Sequence, residues 1–292
     1  MSGARRSPTA VRRALALELR TRRIAAGLTV EKASAAVGMS QSKLTQIERA
    51  GQVPSRDEVI KLLGTYGGAS EEDRDGLLSL VRDSKHKEWW ESIHALPPKL
   101  KVYLGLESVA SSLLAYNPAL AHGLLQTEDY ARAVIRSGKP DVLAHELDQL
   151  VDARIRRQAE VLDREGPDEP PPLELWSVMD EAVLRRQVGG PKVMRAQLER
   201  LIEASARPNV TLQVLPFGLG AHAGMAGTLT ILQFEPSDHP VVYVDGHAGN
   251  LYLERDEDLR RAQQVMNRIL ADALAPDRSL ALMREISEET TK

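Results

Sequence analysis

The chain has no cysteine. Neither a disulfide framework nor a thiolate metal site is open to it, in keeping with a reducing, cytoplasmic setting. It also lacks a long hydrophobic run. The least polar stretch, VTLQVLPFGLGAHAGMAGTLTILQF, is interrupted by Gln213, Pro216, His222 and several glycines, so no membrane span is expected. Catalytic signatures are missing too. No G-x-S-x-G or P-loop occurs, and GLGAHAG has expected strands on both sides instead of the strand-to-helix setting of a dinucleotide loop. The seven histidines, His86, His94, His122, His145, His222, His239 and His247, include no H-x-x-x-H or H-E-x-x-H pair. Neither a metal nor a cofactor is therefore expected, and His222 reads as a loop residue that hydrogen-bonds the backbone. These absences point away from an enzyme.

What is present fits folded protein. The 292 residues, 42% apolar and 27% charged, are enough for two ordinary domains with real cores. The net charge of -3 conceals an asymmetry. Residues 1–66 carry 12 Lys and Arg against 5 acids, a balance of +7, which leaves -10 for the rest. A basic head on an acidic body suits a polyanion-binding module attached to a domain that stays off the polyanion.

The head reads as five helices. Val11, Leu15 and Leu19 recur at four-residue steps in a helix over 9–26 that ends before Gly27. Thr29 caps a second helix that packs Ala33, Ala36 and Val37 and stops at Gly38. Ser40 caps a third, with Leu44 and Ile47 on its inner face, and AGQVPS ends it. Ser55 and Glu58 form a capping box for a fourth, and Ser70 opens a fifth through Leu77, Leu80 and Val81. Two short Ala-rich helices crossing at a Gly-containing turn leave the outer face of the third free to enter a DNA major groove. Residues 1–84 are thus an all-α, helix-turn-helix DNA-binding domain.

The segment LRTRRIAAGLTVEKASAAVGMSQSKLTQIERAG resembles the Xre-type helix-turn-helix repressors. The resemblance places Gln41, Ser42 and Gln46 at base-reading positions, and the chemistry suits them. A Gln amide can bond bidentately to adenine, and a Ser hydroxyl can donate or accept at several base edges. Lys43, Thr45 and Arg49 lie beside them as phosphate contacts, and Arg23 and Glu48 match a family ion pair between the first helix and the end of the recognition helix. Val30 stands where many members carry Gln, which leaves Thr29 and the helix N-terminus as the local phosphate contact. The resemblance further implies a homodimer on double-stranded DNA with inverted half-sites.

A connector over 85–100, charged and then proline-rich (KHKEWWESIHALPPKL), leads to an α+β domain over 101–292. A long helical stripe from Pro140 carries Leu143, Leu147, Leu150, Val151, Ile155 and Leu162. LELWSVM reads as a strand, Val193 to Ile202 as a helix, and VTLQVLP, TLTILQF and VVYV as strands, the first two forming a hairpin through FGLGAHAGMAG. Helices over 256–274 and 278–287 close the chain. The pattern implies a mainly antiparallel sheet with helices on one face. Trp176, Tyr243 and Tyr252 are candidates to line a ligand pocket. Segments such as GLLQTEDYARAV, MDEAVLRRQVGGPKVMRAQLERL and VVYVDG resemble the antitoxin-like (WhiJ-like) C-terminal domain of actinobacterial Xre-type regulators, with His122 where that family usually has Pro. That resemblance implies a transcriptional regulator controlled through its C-terminal domain by a small partner protein or an effector. The second reading is an antitoxin-like protein that sequesters its partner and autoregulates by binding DNA.

Overall fold

The computed structural model describes residues 8–85, 88–164, 171–234, 240–246 and 249–290. The chain divides into two compact units, Met1–Ser92 and Ile93–Lys292.

The first unit is all helical: α1 (Pro8–Ala25), α2 (Val30–Val37), α3 (Gln41–Glu48), α4 (Arg56–Thr65) and α5 (Glu71–Asp83). Side chains set the helix starts. Thr29, Ser40, Ser55 and Ser70 each accept a backbone N–H from three residues on, and Ser55 with Glu58 completes a reciprocal capping box. Gly38, at φ 74°, ends α2 in the left-handed region that glycine enters at little cost. Leu15, Leu19, Ala33, Leu44, Ile47, Val59, Leu62 and Val81 close the core. Ala36 is exposed, contrary to the sequence reading, because the inner stripe of α2 runs through Val30, Ala33, Ser34 and Val37.

The second unit is α+β. Its six-stranded sheet has the order β3-β2-β1-β4-β5-β6, with β1 (Ser112–Asn117), β2 (Glu174–Asp180), β3 (Val210–Leu215), β4 (Leu229–Gln233), β5 (Val241–Val244) and β6 (Leu251–Leu253). The β1-β2 and β2-β3 pairs are parallel and the other three antiparallel, so the sheet is mixed, though mostly antiparallel. The helices are α6 (Pro98–Glu107), α7 (Glu128–Gly138), α8 (Ala144–Leu162), α9 (Glu181–Arg185), α10 (Pro191–Ala204), α11 (Asp256–Asp272) and α12 (Pro276–Glu289).

Three expectations are corrected here. Helices cover both faces of the sheet: Val161, Met194, Leu198 and Met283 pack with Leu113, Leu175 and Leu212 on one side, while Ala262, Met266 and Ile269 of α11 pack with Tyr116, Val178 and Ile231 on the other. The expected hairpin between β3 and β4 does not form, because β2 and β1 lie between them. The 13 residues 216–228 instead cross the carboxyl ends of the parallel strands. The stripe expected from Pro140 becomes helical only at Ala144, where Leu143 is the N-cap.

At His122, where the family usually has Pro, a short 3-10 turn over Gly123–Leu125 forms nonetheless. His122 Nδ1 accepts the Leu124 N–H at 3.3 Å, and burial, then Arg157 and Arg154, push the imidazole down to about 3, so it stays neutral. The outer edge of β3 is closed at Val214 by α12 and the residues just before it. The Val214 N–H donates to Ser279 Oγ at 3.0 Å, the Val214 carbonyl accepts from Leu274 N at 2.9 Å, and Ser279 Oγ donates to the Leu274 carbonyl at 3.1 Å.

Ser279 is fully buried, so Ser279→Ala strands one donor and one acceptor. The expected cost is about 1–3 kcal/mol, read as a lower denaturation midpoint of the full chain. An unchanged midpoint would show that the edge needs no side-chain partner.

Candidate nucleic-acid interface

The surface begins with one buried cation. Arg23, near the end of α1, donates from Nε to Glu48 Oε1 at 2.7 Å and from Nη2 to Glu48 Oε2 at 2.9 Å. Its Nη1 donates to the Leu28 carbonyl at 2.6 Å. The side chains are only 10% and 6% exposed. The carboxylate hydrogen bond raises the guanidinium pKa above its ordinary value despite burial. One planar fork thus joins the end of α1, the turn before α2 and the last residue of α3.

With Leu44 and Ile47 buried, the opposite side of α3 faces out. Gln41, Ser42 and Gln46 are exposed there, Thr45 is half-buried between them, and Arg49 is exposed at the C-cap. Residues spaced by three, four and eight positions share a helix face, so these five form one polar stripe. Thr29 is exposed, and its hydroxyl accepts the Lys32 N–H at 3.2 Å, occupying one lone pair.

Lys43 differs. Its ammonium is held by Glu58, and that hydrogen bond is the main reason the Glu58 carboxyl titrates below its usual range. Its charge is therefore turned toward α4. Arg22 is likewise tied to Glu18 at 2.6 Å and Asp73 at 3.3 Å. By contrast Lys32 in the first turn of α2 and Arg56 in the first turn of α4 are exposed and make no ion pair among the described residues, as does Arg49. Charge counting along the sequence cannot separate these two groups, because Glu58 and Asp73 lie far along the chain from Lys43 and Arg22.

The C-cap of α3 is tight. Ala50 takes φ 56°, uncommon for a residue other than glycine, and the Gly51 and Gln52 N–H groups both donate to the Gln46 carbonyl. The Gln46 amide folds back over Gly51, where a Cβ would lie 2.4 Å from Gln46 Oε1.

The aromatic trio of the second unit is not assembled. Tyr243 and Tyr252 are adjacent, with ring centroids 5.3 Å apart, and Tyr103 lies 4.4 Å from Tyr243. Their hydroxyls are engaged by Asn250 and by the Lys99 carbonyl. Trp176, on β2, points to the α11 side, whereas Tyr243 points to the other; β1 and β4 also separate their strands. No pocket can include all three. His222 does bond the loop backbone, its Nδ1 accepting the Gly224 N–H at 3.1 Å.

Among the described residues no group of three or more His, Asp or Glu could hold a metal ion, and no helix is long and apolar enough to cross a membrane. His86, His239 and His247 lie outside the described residues. A family model described as a helix-turn-helix domain matches residues 14–77, and a domain of unknown function (DUF5753) matches residues 100–285. No curated protein and no solved structure matches the chain.

Two outcomes follow from this geometry. Glu48→Ala removes the partner of a buried guanidinium and should destabilise the first unit by about 3–5 kcal/mol; a thermal unfolding transition left in place would mean the pair is dispensable. Gly51→Ala should displace the flexible Gln46 amide with little loss of stability, so DNA affinity falls while the melting temperature holds. If affinity is unchanged, the Gln46 amide has no part in binding.

Proposed function

Since the chain belongs to the family of the domain of unknown function (DUF5753) and carries a helix-turn-helix domain ahead of it, we propose that it is a sequence-specific transcriptional regulator of the Xre type, binding as a homodimer. The helix-turn-helix domain supports a DNA-binding regulator. The polar stripe of α3 carries the finer reading. Gln41, Ser42 and Gln46 read base edges, while Thr29, Thr45 and Arg49 contact phosphates, joined by Lys32 and Arg56. Lys43 contributes only where the DNA draws it from Glu58.

Dimerisation follows from reach. Eight residues of α3 at about 1.5 Å each extend only about 12 Å, enough for a few base pairs. Two copies on inverted half-sites about 34 Å apart would multiply both specificity and salt dependence. The acidic second unit stays clear of the phosphates and acts as the sensor, taking a partner protein or a small effector.

The antitoxin-like alternative has one observation in its favour. Phe217 (56% exposed), Leu219 (36%) and Met225 (70%) all stand out from the loop that crosses the sheet ends, as a protein-docking surface would. A stable stoichiometric protein recovered with the full chain from its native host, and toxic when expressed alone, would favour that role over effector control.

Base reading is tested by substitution. Gln41→Ala or Gln46→Ala should cost about 1–3 kcal/mol at the specific site and leave binding to random DNA unchanged. Equal losses on both DNAs would remove these residues as readers. Footprinting the full chain across a salt series should show protection of both half-sites together with a steep salt slope; protection of one half-site alone would rule out the dimer.

A further inference from the structure

The parallel strands β1, β2 and β3 end together under the loop of residues 216–228. From β1 the chain winds outward through β2 to β3, then returns to place β4 on the other side of β1. Such a reversal opens a crevice at the carboxyl ends of the strands, where ligands are commonly held.

Three polar side chains meet there. Tyr116, the last residue but one of β1, is fully buried, and its hydroxyl has no hydrogen-bond partner among the described residues. A buried phenol without a partner is unusual and costly. Its position is fixed by Gly224: a Cβ on that glycine would lie 2.5 Å from Cε1, 2.6 Å from Cζ and 3.0 Å from the hydroxyl of Tyr116. The ring of His222 stands edge-on to that of Tyr116, with centroids 6.0 Å apart. Burial, and then the negative charge of Asp180 nearby, push the phenol up to about 12.

The hydrogen bonds of His222 define its tautomer. Because Nδ1 accepts the Gly224 N–H, the ring proton is on Nε2. That proton faces Asp180 Oδ2 at 3.6 Å, too far for a hydrogen bond. The other Asp180 oxygen is occupied by the Ala182 N–H at 2.8 Å. The side chain of His222 is 9% exposed. It lines a cleft of about 530 Å³ with Ala221, Ala223, Arg268, Ala271 and Asp272. Behind the cleft wall, a donor on His222, an acceptor on Asp180 and an unpartnered hydroxyl on Tyr116 stand near one another.

A hydroxyl satisfies the whole set. It accepts from Nε2–H, donates to the carboxylate, and keeps a second lone pair for the phenol. An ammonium has no lone pair for Nε2–H, and a carboxylate or phosphate would meet the charge of Asp180. We propose that the carboxyl ends of β1 and β2, beneath residues 216–228, bind a small hydroxyl-rich molecule of the sugar or polyol class, with Tyr116, Asp180 and His222 sharing one of its hydroxyls. This rests on the reading of the second unit as a sensor, and it names the effector class. The same loop carries Phe217, Leu219 and Met225 on its outer side, so occupation beneath it reaches the surface offered to a partner.

Saturation-transfer NMR on the full chain tests the site, with glycerol, D-ribose, D-glucose and myo-inositol as probes. At least one should bind saturably, and Tyr116→Phe should weaken it roughly tenfold. That variant keeps the ring under Gly224, and its melting temperature without a probe should hold or rise, since the lost hydroxyl has no partner among the described residues. Failure of all four probes overturns the proposal, and so does undiminished binding by Tyr116→Phe. A lowered melting temperature overturns it as well, because the hydroxyl would then already be permanently filled, as by a bound water. No readout here involves DNA, so a negative result leaves the regulator reading intact, and a failure of DNA binding leaves the ligand site intact.

Discussion

The orientation of α3 depends on one desolvated guanidinium. Arg23 spends three of its donors on Glu48 and the Leu28 carbonyl, tying together the end of α1, the turn before α2 and the end of α3. Such a pair is a poor source of net stability, because both charges must be taken out of water. Its value lies in geometry. Ala33, Leu44 and Ile47 would tolerate a sliding α3, whereas a bidentate fork tolerates little rotation. The exposed side chains of Gln41 and Gln46 inherit their orientation from it.

The second unit is organised by a different constraint, the central position of β1. Leu113 and Ala115 face one helical layer and Tyr116 the other, so this short strand is buried on both sides. It pairs in parallel with β2 and antiparallel with β4. That change of direction brings the β3-β4 connection back across the strand ends and puts His222 beside Asp180. The domain of unknown function (DUF5753) thus owes its most chemically distinctive corner to a topological choice made at one strand.

How much of this could be read from the sequence depended on whether the signal was local. The caps at Thr29, Ser40, Ser55 and Ser70 act within three residues, so all five helices of the first unit are legible, whereas the pairing of Arg23 with Glu48, 25 residues apart, is reached only through the family resemblance. Strands β2 to β5 were legible as apolar runs. Strand β1 was not, since SLLAYN has no alternation and no β-branched residue, and β6 has three residues. The hairpin misreading has the same root. Periodicity identifies a strand but not its neighbour, and the separation of β3 from β4 depends on two strands earlier in the chain. Residue type alone groups Trp176 with Tyr243 and Tyr252, whereas the pleat sends it to the opposite face. Lys43 reads as a phosphate contact from the sequence because Glu58, which holds it, is 15 residues away.

The seal on β3 has a consequence for assembly. A sheet with two open borders can be extended indefinitely by copies of itself, each new chain offering the free side that the next one needs. Here Ser279 of α12 and Leu274 just before it occupy the outer hydrogen-bonding groups of Val214. With that border taken, copies meeting strand to strand have only the β6 side to use. An open-ended filament needs both borders of every copy, so it cannot grow from this sheet.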